Sequence, residues 1–176
     1  MDKQNMEVFG ALLQGYTQAC LNLNIIAGTG AMEMISGINV TQWYPLSKWA
    51  EIERIVIQSY ENSDPIMLRV GMEMMYAWYR LGPGTSFIQK GVDFLYFQTG
   101  SEGYVSVVKG DPGEVGNFEL SSIDMEKGLA QVYSTTLFNR VMECGVLIGG
   151  MLAPGDLSYV DVSNRNNKDL LEIEFH

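Results

Sequence analysis

"NSDPIMLRVGMEMMYAWYRLGPG", Asn62 to Gly84, is the stretch on which the fold turns. Met67, Val70, Gly71, Met74, Met75 and Trp78 recur at i, i+3 and i+4, which places them on one face of a helix. Asp64 reads as the N-cap and Pro65 as the first helical residue, where a missing N–H costs nothing. "GPG" at Gly82–Gly84 ends the helix. Gly71 lies on the apolar face, although glycine costs about 1 kcal/mol against alanine inside a helix. Close approach of another backbone is the expected reason. Met67, Met72, Met74 and Met75 crowd the same helix. They read as adaptable core filling, or as the wall of a plastic apolar pocket or partner surface. Met72 is off the stripe and is the one expected at the surface.

Upstream, "LSKWAEIERIVIQSY" (Leu46–Tyr60) predicts an amphipathic helix with Trp49, Ile52, Val56 and Tyr60 on its buried face and Ser47 as N-cap. It follows "TQWYPLSKW" (Thr41–Trp49), which holds two of the three tryptophans. Pro45 interrupts any helix there, and Trp43-Tyr44 sit where a hydrophobic staple would pack back. The stretch reads first as an architectural corner and second as a ligand wall. "IIAGTGAMEMISGI" (Ile25–Ile38) reads as a loop, then a short helix around Ala31–Ile35 carrying Met32 and Met34, ended by Gly37. In "MEVFGALLQGYTQACLNL" (Met6–Leu23), Val8, Ala11, Leu12, Gly15, Ala19 and Leu23 give a helical stripe, yet "EVFGALLQ" could equally open as a strand.

Downstream, "TSFIQKGVDFLYFQTG" (Thr85–Gly100) repeats the helical pattern through Phe87, Ile88, Gly91, Val92 and Leu95, with Gly91 again expected to meet a backbone. The character changes at Gly100. "GYVSVVKGD", "NFELSSID" and "GLAQVYST" alternate, with a turn at Asp111-Pro112-Gly113, and predict an antiparallel meander. "TLFNRVMECGVLIGGML" (Thr136–Leu152) returns to helical spacing, with Leu137, Val141, Cys144, Gly145 and Ile148 on one face. "PGDLSYVDVSN" and "DLLEIEFH" close as two strands around a polar "NRNNKD" turn. Segregated helices and antiparallel strands mean α+β. The expected architecture is one domain, 1–176: a helical layer over about 1–99, packed on a twisted antiparallel sheet of about five strands within about 100–176.

Composition bounds the function. A chain of 176 residues that is 47% hydrophobic can bury a core without disulfides or metals. Its net charge of −10, with only 11 scattered Lys and Arg, argues against nucleic-acid tracking and anionic membranes. Cys20 and Cys144 lack CxxC spacing and read as buried thiols in a reducing compartment. The opening "MDKQNMEVFG" has no leader pattern and no apolar run reaches a membrane span, so a cytoplasmic location is expected.

Chemistry is sparse. The one histidine, His176, is terminal, which removes Ser-His-Asp and Cys-His catalysis and any ordinary zinc cluster. Glu51 and Glu53, Asp124 and Glu126, and Glu172 and Glu174 are close acid pairs. Glu172 and Glu174 would face outward from a strand whose Leu171, Ile173 and Phe175 point in. "GTG" at Gly28–Gly30 and "GPG" at Gly82–Gly84 extend to neither GxGxxG nor GK[ST].

The run from Gly103 to Phe175, with the strand Gly128–Tyr133 and a helix running into Cys144–Gly150, resembles the C-terminal half of the vinyl-reductase-type, or heme-NO-binding-associated, ligand-binding domains. "WYPLSKW" at Trp43–Trp49 and "RVGMEM" at Arg69–Met74 are similar to a bacterial family sharing that fold. Its relatives include TRAPP transport-complex subunits and heme-based nitric-oxide sensors. The resemblance implies a heme-NO-binding/TRAPP-like fold, often with an apolar pocket between helices and sheet, and ligand sensing or assembly more than catalysis. The heme sensors use a helical histidine and a Tyr-x-Ser-x-Arg motif; this chain has neither, so the resemblance does not bring heme with it, and the cofactor stays open. The cysteine cluster of some vinyl-reductase-like domains is absent too.

The expected function is a non-enzymatic regulatory or sensory module binding a small apolar ligand, with Trp43, Tyr44, Trp49, Met67, Met74, Trp78 and Cys144 as candidate ligand contacts. A scaffold or dimerisation module, with a homodimer or regulatory protein as partner, is the alternative, motivated by Met72, Tyr76 and Tyr79 off the main stripe. An enzyme on a tetrapyrrole or lipid-like substrate comes third, since Glu73 has no evident partner.

Overall fold

The computed structural model describes residues 6–25, 36–164, 167 and 169–176. The predicted helix at Ala31–Ile35, the "GTG" at Gly28–Gly30, and Met32 and Met34 lie outside the described residues, as do Arg165, Asn166 and Lys168 of the polar turn.

The helix predicted for the central stretch forms, over Asp64–Leu81, and is the third described helix of the chain, α3. Before it come β1 (Glu7–Phe9), α1 (Gly10–Asn22), β2 (Trp43–Pro45) and α2 (Leu46–Gln58); α3 itself spans Asp64–Leu81. After it come a single helical turn (Gly84–Phe87), α4 (Gly91–Thr99), a second turn (Tyr104–Val107), β3 (Val108–Lys109), a third turn (Pro112–Val115), β4 (Phe118–Asp124) and β5 (Leu129–Ser134). The long helix α5 (Arg140–Leu152) and strands β6 (Val160–Ser163) and β7 (Leu170–Phe175) complete the chain. The architecture is α+β, as expected.

Gly71 explains how the two halves join. A Cβ there would stand 2.1 Å from Met142 O of α5, and one at Gly145 would stand 2.0 Å from Leu68 O of α3. The two backbones therefore touch, and glycine is the residue type that permits it. Gly91 meets its expected backbone as well: a Cβ would lie 2.3 Å from Met151 O.

Helix α5 buries more than the one face predicted through Leu137, Val141, Cys144, Gly145 and Ile148. Every residue from Met142 to Met151 is buried, because α3 covers one side and the sheet the other. Leu137 precedes the helix and is exposed. Asn139 caps it, its Oδ1 accepting from Val141 N (3.0 Å) and Met142 N (3.1 Å).

The strands divide between two sheets rather than one of five. The larger has the order β4-β5-β7-β6, wholly antiparallel, with a register shift between Leu120 and Ser122. Its inner face carries Phe118, Ala130, Val132, Leu171, Ile173 and Phe175. Glu174 points to solvent, as the alternation requires, opposite Asp161 on β6. The smaller sheet has the order β2-β1-β3. "GYVSVVKGD", expected as the first strand of the meander, instead opens as a helical turn, and only Val108–Lys109 pairs, with β1. Ser106 Oγ donates to the carbonyls of Glu102 and Gly103, both at 2.7 Å, a local bond that competes with the strand.

Smaller differences have local causes. Helix α2 begins at Leu46 behind Pro45, so Ser47 lies inside its first turn and Tyr60 falls beyond its end. Ser63 occupies the cap of α3, one residue before Asp64. The stripe through Phe87 and Gly91 is broken, because Asp93 takes the N–H groups of Gln89 (2.9 Å) and Lys90 (2.8 Å) and starts α4 afresh. Met72 packs against the core beside Gly149 instead of facing solvent.

Candidate functional site

Between α1, α3 and α4 the helices leave a cavity of about 130 Å³. Helix α3 contributes Met74, Met75 and Trp78, α1 contributes Leu12 and Gly15, and α4 contributes Phe97 and Gln98. Val107 and Gly103 also line it, and the exposed residues Ala11 and Glu102 mark the mouth. The Met74–Met75–Trp78 spacing presents both thioethers and the indole to one space, and Trp78 is held by Phe97 (4.9 Å between ring centres) and Phe94 (6.2 Å).

Gly15 differs from the glycines of the helix contact. A Cβ built at Gly15 meets no atom within 4 Å. No backbone approaches, so packing supplies no reason for glycine there.

Deeper in, a second cavity of about 60 Å³ shares Leu12, Met74, Met75, Gln98 and Val107 with the first. Its far wall is aromatic. Trp49 of α2 stacks on Tyr16 (4.3 Å) and packs on Phe138 (4.5 Å), and Tyr104 meets Phe118 and Phe138 edge-on at 5.7 and 5.8 Å. The Tyr104 hydroxyl donates to Val115 O at 2.5 Å, and burial raises its pKa. The Trp49 indole N–H and Glu53 Oε1, both cut off from solvent, lie near one another outside hydrogen-bond geometry, and burial raises the Glu53 pKa.

Glu143 closes the inner cavity and is 1% exposed. Its carboxylate accepts from Thr136 Oγ1, from Ser134 Oγ (3.1 Å) and from the Arg140 guanidinium. Arg140 also reaches Asp169 at 3.6 Å. Burial pushes the Glu143 carboxyl up to about 7, against the opposing pull of Thr136 and Arg140.

The sequence-derived candidates separate into groups. Met74 lines both cavities, Trp78 the outer and Trp49 the inner. Met67 is buried beneath them, its sulfur accepting from the Tyr16 hydroxyl at 4.0 Å. Cys144 is buried in the core beside the sheet and lines neither cavity. Trp43 and Tyr44 lie elsewhere, in β2. Trp43 packs against a tilted Phe9 ring (5.0 Å) with Lys109 Nζ over its own ring (3.8 Å), and the Tyr44 hydroxyl accepts from Asn39 N at 2.6 Å and donates to Gly37 O at 3.3 Å. That pair forms a corner of the small sheet. Sequence reasoning passed over Gly15, Gln98 and Glu143. Gly15 carried a signal, a glycine on a helical stripe, like that of Gly71. The carboxyl at Glu143 carried none, because its burial depends on the sheet.

Among the described residues, no group of three or more His, Cys, Asp or Glu could hold a metal ion. His176 stacks on Tyr159 at 4.8 Å at the edge of the sheet. No described helix is long and apolar enough to cross a membrane.

No protein-family model matches the sequence, and no curated protein matches it. Solved structures match throughout. A variant of Tt H-NOX superposes with a TM-score of 0.65 at 14% identity, over 95% of this chain and 94% of that one. The Fe(II) unliganded H-NOX protein from K. algicida gives 0.62 at 8% identity, over 96% of each chain. An oxygen-binding H-NOX domain related to soluble guanylate cyclases, solved as its oxygen complex, gives 0.62 at 13% identity, over 94% of each. The fold is that of the H-NOX domains.

Proposed function

We propose that this chain is a sensory or regulatory module that binds a small apolar ligand between α1, α3 and α4. Gly15 carries the reading. A glycine inside a helix costs roughly 0.5–1 kcal/mol against alanine, and here no neighbouring atom excludes a side chain. The space in front of it is walled by Met74, Met75 and Trp78, a surface that adapts to a guest.

The structural neighbours include H-NOX proteins studied through their heme. The residues here do not fit that group. The cavities offer thioethers, indoles, an amide, carboxylates and the Tyr104 phenol, which is held by Val115 O, but no imidazole. Cys20 and Cys144 lie off the cavities with thiol pKa values pushed by burial to about 12 and about 11. Cavities of about 130 and 60 Å³ also fall below the ~300–1,000 Å³ typical of drug-sized sites. They suit a one- or two-ring molecule, since an apolar cavity of ~150 Å³ takes up benzene.

Titration with benzene and indene, followed by thermal unfolding, tests the reading. Wild type is expected to gain several °C at saturation. Gly15→Leu, whose side chain would occupy the cavity, is expected to start more stable and to gain nothing. Equal gains in both proteins would place the binding elsewhere, and no gain in either would refute the proposal.

A second reading, self-association, is supported by exposed apolar groups near the same helices. Leu81 is 87% exposed at the end of α3, and Phe87 and Tyr96 line a groove with Phe97. Sedimentation equilibrium would then give a dimer that Leu81→Asp or Phe87→Asp weakens; a monomer at all concentrations would dismiss it.

A further inference from the structure

The hydrogen-bonding groups around the two cavities are unevenly spent. Tyr104 gives its hydroxyl proton to Val115 O. Ser134, Thr136 and Arg140 direct their donors at Glu143. Those three bonds use three of the roughly four acceptor positions of a carboxylate. Gln98 stands on the wall common to both cavities and has no side-chain hydrogen bond among the described residues. Glu102 stands at the mouth. What remains available is the Gln98 amide, with its carbonyl acceptor and its NH2 donor, and the carboxylates at either end. The rest of the lining is apolar.

The same wall explains how one ligand could use both spaces. Met75 and Gln98 are long, unbranched side chains that separate the outer cavity from the inner. As flexible chains they are the groups whose rotation would join the two into one slot leading toward Glu143.

We propose that the ligand is a compact, uncharged ring compound bearing one N–H or O–H group, of the indole or phenol class, and that Gln98 is its polar anchor. The inference rests on the cavity reading above and adds the chemistry of the guest. A ligand N–H meets the Gln98 carbonyl, which has no protein partner among the described residues, whereas an isostere without it covers that amide without replacing its water, which is how such sites discriminate. Carboxylate ligands are disfavoured, because the Glu102 side chain stands at the mouth and the described lining beyond it offers no free cation.

Dissociation constants for indole, its carbocyclic isostere indene, and benzoate test this on the full chain. In wild type, indole is expected to bind about tenfold more tightly than indene, and benzoate not at all. In Gln98→Leu the ratio is expected to fall to near unity with indene binding retained. The wild-type NMR spectrum gives an answer independent of that variant: the Gln98 side-chain amide signals shift with indole and stay still with indene. Equal affinity for indole and indene, binding of benzoate, or a Gln98 amide unmoved by indole would overturn the proposal while leaving the apolar cavity reading intact. Binding of none of the probes, with Gly15→Leu unresponsive as well, would sink both.

Discussion

Glu143 sits at 1% exposure with its carboxyl raised from 4.5 to about 7, and the first cause is burial. The consequence for stability has a definite sign. Below about pH 4.5 the folded and unfolded chains both hold the proton, and the group is neutral in its effect. Between that value and about 7 the folded chain keeps a proton that the unfolded chain has lost, so stability falls as pH rises and levels off above. The total is on the order of 3 kcal/mol. Urea midpoints for Glu143→Gln are expected to vary less between about pH 5 and pH 8 than those of wild type. Arg140→Met is expected to destabilise more at about pH 8 than at pH 5, because the ionised Glu143 then loses its guanidinium partner. An equal loss at both pH values would mean that Glu143 does not ionise in the folded chain. None of this was legible in "FNRVMECGV". A glutamate in a helical run is ordinarily a solvated one, and only the sheet laid across α5 makes this one different.

Helices α3 and α5 show how an element can be readable in outline and not in its role. Their glycines were recognisable as close-approach positions, because a helix-interior glycine on an apolar face needs a reason. Which backbone approaches was not recognisable, since the partner of Gly71 lies more than 70 positions along the chain, at Met142. Gly71→Ala and Gly145→Ala would each drive a Cβ into a carbonyl oxygen, at 2.1 and 2.0 Å. Each is expected to cost about 3 kcal/mol, the upper part of the usual range for overpacking. Gly15→Ala, on a helix with open space before it, is expected to stabilise by roughly 0.5–1 kcal/mol. Chemical denaturation of the three variants checks the contrast; a stabilised Gly71→Ala would contradict the contact. The corner at Trp43–Tyr44 follows the same rule. Its aromatic bulk announced a packing role, but its pairing was set by β1, more than 30 positions upstream, and the cover that Lys109 lends to Trp43 by a strand far downstream.

The α3–α5 contact spans both halves of the chain, while the outer cavity lies further along α3, toward α1 and α4. That division predicts a gradient in hydrogen exchange. Amides of α5 and the inner face of the large sheet are expected to exchange most slowly, and those around α1 and the Gly100–Gly103 turn fastest. A cavity ligand should slow the second group more than the first; uniform protection would point to binding outside the cavity. The sequence by itself determined the α+β class, the three main strands β4, β5 and β7, the core stripes of α2 and α3, and the count of one histidine, His176. These follow from local periodicity and composition, which a single strand or helix carries on its own. Tertiary structure alone decided that the strands split into two sheets, that α5 is buried on every side, and that Gly15, Met74, Trp78 and Gln98 share one empty space. A cavity is the volume left where separate elements fail to meet, and no one element's sequence records the shape of the gap.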